Sequence, residues 1–326
     1  MRGLLWVTVV LAALWGGWWV VGSRGAMAAA EGWFAQAATE GRRAGYEDLA
    51  VAGFPNRFDL TVTGPHLGDP ATGFGWQAPF AQVFAMSWKP WHLIAALPGG
   101  QVITTPDARI TLQSDRLMAS LLMVPGVDLA LSEAVVEGAA LALSPSYGGV
   151  EGVARAVASI RAEEGGVNRY RLGLALSDLA VAPEVVASGL AAKVETVTLD
   201  ATLGLSAALD RNAGQTPPAL RQLALRDMQV RWGDLTLQAS GDLAPDLSGY
   251  AAGRIDIRVT GWRLLPPGLV ALGLIAPGFA PSLERGFEMM AAQGADPEVL
   301  VLPLVAKAGR MSLGPLPLGP APYWGD

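Results

Sequence analysis

The chain has 326 residues and a formal net charge of −6, with 51% hydrophobic and 16% charged side chains; that balance excludes wholesale disorder and a coiled-coil rod. No basic run exceeds Arg42-Arg43, so the electrostatic footprint of a nucleic-acid partner is missing. With no cysteine and only His66 and His92, a disulfide framework, a thiolate metal site, a cysteine nucleophile and an all-histidine zinc site are excluded as well.

From Gly3 to Ser23 there is no charge, between Arg2 and Arg24, and at about 1.5 Å per helical residue this run reaches about 30 Å, the thickness of a hydrocarbon core. Trp6 near one end and Trp15, Trp18 and Trp19 near the other are the expected anchor residues, because amphipathic rings settle at the membrane interface. A cleaved signal peptide is the rival, since Ala26-Met27-Ala28 and Ala28-Ala29-Ala30 offer small residues at cleavage spacing. The run is longer than an h-region of about 7 to 15 residues, and Arg24 separates it from those sites, which favours a retained anchor. Counting Arg2 against Arg24, Arg42 and Arg43 does not place the amino terminus inside. The two-residue leader nevertheless looks like an export signal, so the reading is a single-pass inner-membrane protein with its body in the periplasm.

After the anchor, residues 1–23, the spacing of Met27, Ala30, Trp33, Phe34, Ala37 and Ala38 predicts a helical extension over 24–45 that runs to about Arg43 before Gly45 breaks it. A body over 46–326 follows, in which the dominant period is two. Phe58, Leu60 and Val62 alternate with polar neighbours, as do Tyr170, Leu172, Leu174 and Leu176, and Lys193 to Leu209 predicts one unusually long strand. An apolar stripe at Val150, Val153, Val157 and Ile160 predicts a helix ending at Gly165-Gly166. Pro183 opens another with Val185, Val186 and Leu190, and Pro267–Ile275 and Pro281–Gln293 predict a pair broken at Pro277-Gly278. Leu235 to Val259 reads as a hairpin around Asp246-Leu247-Ser248-Gly249, and Val299–Ala306 with Met311–Leu318 as a second. A phase shift near Arg226-Asp227 predicts a β-bulge. Loops at Asp210–Pro218 and Leu97–Gly100 do not clearly separate domains. The fold class expected is α+β: an N-terminal transmembrane helix, then a mainly antiparallel, coiled β-sheet body with short interspersed helices.

Chemistry is sparse. No phosphate loop, H-E-x-x-H, G-x-S-x-G or dinucleotide fingerprint occurs. His66 follows Pro65 at a strand end and His92 lies in Trp88-Lys89-Pro90-Trp91-His92; both read better as structural than as catalytic. Glu163-Glu164 and Glu47-Asp48 are adjacent carboxylates, which usually mark a solvated face. The distinctive stretch is Phe74 to Trp91. Its Phe80 and Phe84 read as core, whereas Trp76, Trp88 and Trp91 near Lys89 would suit a lipid-facing or interface rim, one that rests on lipid headgroups or lines an acyl-chain cleft. No catalytic residue, metal ligand or cofactor is expected.

Several phrases together resemble a family: Gly41-Arg42-Arg43-Ala44-Gly45-Tyr46, Val51-Ala52-Gly53-Phe54-Pro55-Asn56-Arg57-Phe58-Asp59-Leu60, Trp88-Lys89-Pro90-Trp91-His92-Leu93-Ile94 and Met311-Ser312-Leu313-Gly314-Pro315-Leu316-Pro317-Leu318. They resemble an uncharacterised bacterial envelope family known as domain of unknown function 2125, with Asn56 standing where an aromatic residue is expected. The resemblance implies place and extent, and no activity. In plan, the anchored amphipathic strands are also similar to AsmA-like envelope proteins, which are associated with lipid movement. The function expected is therefore a non-enzymatic, membrane-anchored periplasmic protein that handles lipid or scaffolds through an apolar sheet face. Its partners would be inner-membrane lipid and an acyl-chain ligand or an envelope protein. The alternatives are a tethered assembly factor and a carboxylate-based periplasmic hydrolase.

Overall fold

The computed structural model describes residues 2–325 and divides into two compact units, Met1–Met123 and Val124–Asp326. The sequence reading carried one body from 46 to 326; neither of its two loop candidates lies at this boundary.

In the first unit a 38-residue helix, α1 (Arg2–Thr39), precedes ten strands. They are β1 (Arg43–Gly45), β2 (Asp48–Ala52), β3 (Arg57–Thr63), β4 (His66–Gly68), β5 (Gly75–Gln77), β6 (Phe80–Met86), β7 (Lys89–Leu97), β8 (Gln101–Thr104), β9 (Arg109–Gln113) and β10 (Arg116–Met123). The helix ends earlier than its apolar spacing predicts, and Arg43–Gly45 is a strand. Gly41 takes φ 82°, which only glycine adopts without strain. The Arg42 N–H donates to Ala37 O and the Gly41 N–H to Ala38 O, both at 3.1 Å, closing a Schellman-type end. All pairings are antiparallel. One ladder runs β2-β3-β6-β7-β10, and the other runs β1-β4-β5-β8-β9.

The second unit holds β11 (Leu131–Tyr147), β12 (Val150–Ala162), β13 (Arg169–Val181), α2 (Pro183–Val186), β14 (Lys193–Leu205), β15 (Leu220–Trp232), β16 (Leu235–Pro245), β17 (Ala251–Thr260), α3 (Leu265–Ala271), α4 (Ala280–Ala291), β18 (Val299–Lys307), β19 (Arg310–Leu313) and β20 (Leu316–Pro320). Each strand pairs with the next, giving an open antiparallel meander. The helix predicted at Val150–Ile160 is β12 instead. Valines and an isoleucine at helical spacing are also residues that favour strands, and two long neighbours supply the pairing that decides between the periods. The strand from Lys193 stops at Leu205, where Ser206 begins a polar loop. The second hairpin is shorter than expected, because Gly314-Pro315 turns the chain again and β20 pairs back on β19. The bulge at Arg226-Asp227 is present: the register shifts between Leu225 and Met228.

Pro183, Pro266-Pro267 and Pro281 sit in the first turns of their helices, where a missing N–H costs nothing. These helices bury Val185, Leu283, Phe287 and Ala291 against Val194, Leu235, Val259, Leu300 and Leu302 of the sheet. Trp262 is 1% exposed at the centre of this packing, and its indole N–H donates to Pro297 O at 3.1 Å.

Candidate functional site

The strand registers of the second unit align one apolar surface. Val136 on β11 opposes Ala158 on β12, which opposes Leu174 on β13, then Leu199 on β14 and Met228 on β15. The adjacent rows place Ile160, Leu172 and Ala201 together, and Leu176 with Val197 and Val230. Because side chains alternate with a period of two, the intervening residues occupy the other face. That face is polar and paired. Arg171 Nε and Nη2 donate to the two carboxylate oxygens of Asp200 at 2.9 and 2.6 Å, and Arg161 pairs with Glu133. The Thr202 hydroxyl donates to Glu163 Oε1 at 2.9 Å, and Arg169 and Arg226 also reach this carboxylate, at 3.2 and 3.0 Å. The Thr202 bond, followed by the two guanidinium groups, holds the Glu163 carboxyl below the usual carboxylate range. Arg171 does the same for Asp200.

The apolar surface is closed at its two ends by different devices. Toward Val181 the three helices pack on it. At the other end, the Leu209 N–H donates to the Tyr170 hydroxyl at 2.8 Å, and the Leu131 N–H donates to Leu209 O at 2.6 Å. Tyr170 lies on β13 and Leu131 starts β11, so this segment straps across the end of β12. Between strap and helices, Val136, Ile160, Leu172, Leu174 and Leu199 belong to neither packed core of the unit. Ile160, Leu172, Leu174 and Leu199 are half-buried, and Val136 is 46% exposed. From Tyr170 to Leu176 this stretch is about 20 Å long at about 3.3 Å per residue.

The aromatic residues singled out by the sequence fall in the first unit. Trp76 on β5 donates its indole N–H to Gln101 Oε1 at 2.9 Å, and Gln101 is itself buried. Trp91 is half-buried in β7, while Trp88 is exposed in the β6–β7 turn. Trp76 therefore belongs to a different ladder from Trp88 and Trp91. Of the four anchor tryptophans, Trp6, Trp15 and Trp18 are exposed and Trp19 is half-buried. Trp15 stacks on Trp88 with ring centroids 6.5 Å apart, and the indole N–H groups of Trp18 and Trp19 donate to Ser87 O and Arg57 O at 2.9 and 2.6 Å. No spacing rule in the sequence links these positions; only the folded turns bring them to the helix.

Groups capable of acid–base work are scattered. His92 Nε2 lies 3.1 Å from Ser120 Oγ, and no carboxylate bonds the ring among the described residues. A cleft of about 430 Å³ beside Trp76 is lined by His66, Asp69 and Arg43. There the Ala71 N–H, 2.8 Å away, and then Thr72 hold the Asp69 carboxyl low, so it is a turn-capping anion.

A family model described as an uncharacterized protein conserved in bacteria (DUF2125) matches residues 19–322. No curated protein and no solved structure matches the chain.

Proposed function

This chain belongs to that bacterial family, and we propose that it is a membrane-tethered, non-enzymatic protein of the inner membrane, with its body in the periplasm, whose second unit accommodates acyl chains on the apolar sheet face. The observation that carries this reading is the partly exposed stretch of Val136, Ile160, Leu172, Leu174 and Leu199, bounded by helices at one end and by the Leu209 strap at the other. An apolar strip of this extent normally meets a partner. Its length of about 20 Å exceeds the roughly 15 Å that an acyl chain spans in one leaflet's hydrocarbon layer, so a chain with that span fits along it. The ion-paired opposite face supports the same reading, since it keeps that side wetted while the other stays available. Helix α1 is long and apolar enough to cross a membrane, and nothing in its most apolar window is buried.

The test uses the full chain in its membrane. A photoactivatable amino acid at Leu174 or Leu199 gives lipid adducts by mass spectrometry, and one at Thr198, on the polar face, gives none. Adducts to protein at both apolar positions would instead make the chain a tethered assembly factor, and absence of any adduct there would reject lipid handling.

A further inference from the structure

Two neighbouring turns of the first unit combine exposed apolar side chains with main-chain groups that bond to one another and to helix α1. Phe54, in the β2–β3 turn, is 62% exposed; Met86 and Trp88, at the β6–β7 turn, are 44% and 53% exposed. The register Arg57↔Met86 sets the two turns side by side. Several main-chain groups beside these side chains are paired. Asn56 and Arg57 N–H both donate to Gly53 O, at 3.1 and 2.9 Å, and Ser87 N–H donates to Asn56 O at 2.9 Å. The Ser87 hydroxyl donates to Pro55 O at 3.3 Å, and the carbonyls of Ser87 and Arg57 accept the indole protons of Trp18 and Trp19. Pro55 has no N–H to satisfy.

Helix α1 supplies the depth. The Phe54 ring lies against Gly16, where a Cβ would meet it at 3.6 Å, and Trp88 stacks on Trp15. Gly16 is seven residues before Ser23, the end of the uncharged run, which is about 10 Å of helix rise. With Gly3–Ser23 filling a hydrocarbon layer of about 30 Å, both turns reach about 10 Å below its surface, the depth at which interfacial segments rest. Arg24 and Lys89 directly follow the anchor run and Trp88, and Arg57 follows Phe54-Pro55 after Asn56, as cationic residues do at the headgroup level.

We propose that the β2–β3 and β6–β7 turns form an immersion tip, with Phe54, Met86 and Trp88 entering the lipid leaflet beside α1. The tip would fix the height and tilt of the first unit on the bilayer, a role that α1 alone, free to rotate about its axis, cannot fill. This proposal rests on the membrane-anchor part of the functional reading and is independent of acyl-chain binding by the second unit.

The absence of cysteine makes the test direct. Single-cysteine variants of the full chain, Phe54→Cys, Met86→Cys and Trp88→Cys, are labelled with an environment-sensitive fluorophore in phosphatidylcholine/phosphatidylglycerol vesicles carrying acyl-chain spin-labelled lipid; Val10→Cys reports the anchor and Tyr250→Cys the second unit. Blue-shifted emission and quenching at 10, 54, 86 and 88, with neither at 250, is the expected result. Quenching at 10 with water-like emission at 54, 86 and 88 overturns the immersion tip and leaves the anchor standing. No quenching at 10 removes the anchor reading and the tip with it. Met86 makes no ring contact with α1, so its label reports depth even where replacing either aromatic ring disturbs the fold.

Discussion

The indole N–H of Trp18 donates to the main-chain oxygen of Ser87, 2.9 Å away, and Ser87 is completely buried. A helix residue placed by hydropathy in a membrane anchor thus closes a polar group in a hairpin turn nearly seventy residues later. Replacing Trp18 by Phe keeps the ring and removes the bond, leaving an orphaned carbonyl. The expected cost is about 1 kcal/mol, read as a lower denaturation midpoint of the full chain in detergent; an unchanged midpoint would mean that lipid or water takes over the carbonyl.

Gly241 on β16 has φ 149°, and a Cβ there would collide with the Arg254 carbonyl of β17. Gly241→Ala is expected to destabilise by on the order of 3 kcal/mol, because backbone and neighbour are both wrong for a side chain. Gly278→Ala, where nothing stands within 4 Å of the new methyl group, is the matched control and leaves the urea midpoint unchanged.

The carboxylates of the polar face set an acid limit. Glu163 and Asp200 titrate below their ordinary range in the folded protein, so their stabilisation is fully present above the unfolded carboxylate pKa, about 4. It is lost as pH falls through the lower folded values. In thermal melts from pH 7 to pH 2.5, wild type exceeds Glu163→Gln by a constant margin above about pH 5, and the gap narrows in acid. A gap that widens in acid would contradict the ion-pair account.

Leucines on one sheet face should differ sharply in cost. Leu300, fully buried under α4, loses packing on every side when truncated, and Leu300→Ala is expected to cost about 3 kcal/mol. Leu174, in the half-exposed stretch, has no helix on it, and Leu174→Ala should cost under about 1 kcal/mol in the lipid-free protein. Equal costs in chemical denaturation would show that the stretch is covered.

Much of the second unit was legible because its strands carry their period openly: Tyr170 to Leu176 and the two arms of the Leu235 to Val259 hairpin alternate, and the bulge at Arg226-Asp227 shows as a phase slip. Val150 to Ile160 misled because branched residues three and four apart satisfy a helical template while every second residue also suits a sheet; pairing with β11 and β13 settles the choice. The stop of α1 at Thr39 turns on Gly41 entering the left-handed region, which glycine permits but does not announce.

The amino-acid order by itself determined the uncharged run of the first helix, the antiparallel character of the chain and the poverty of reactive groups, since composition and short-range periodicity act through local sterics and burial. Tertiary structure alone decided which of the apolar rows the helices cover, that Leu209 straps the far end, and that Phe54 and Trp88 meet the anchor at Gly16 and Trp15. Those outcomes depend on pairing between segments distant along the chain, where the free energy of contact is set by register and by the turns that permit it, and no local pattern encodes either.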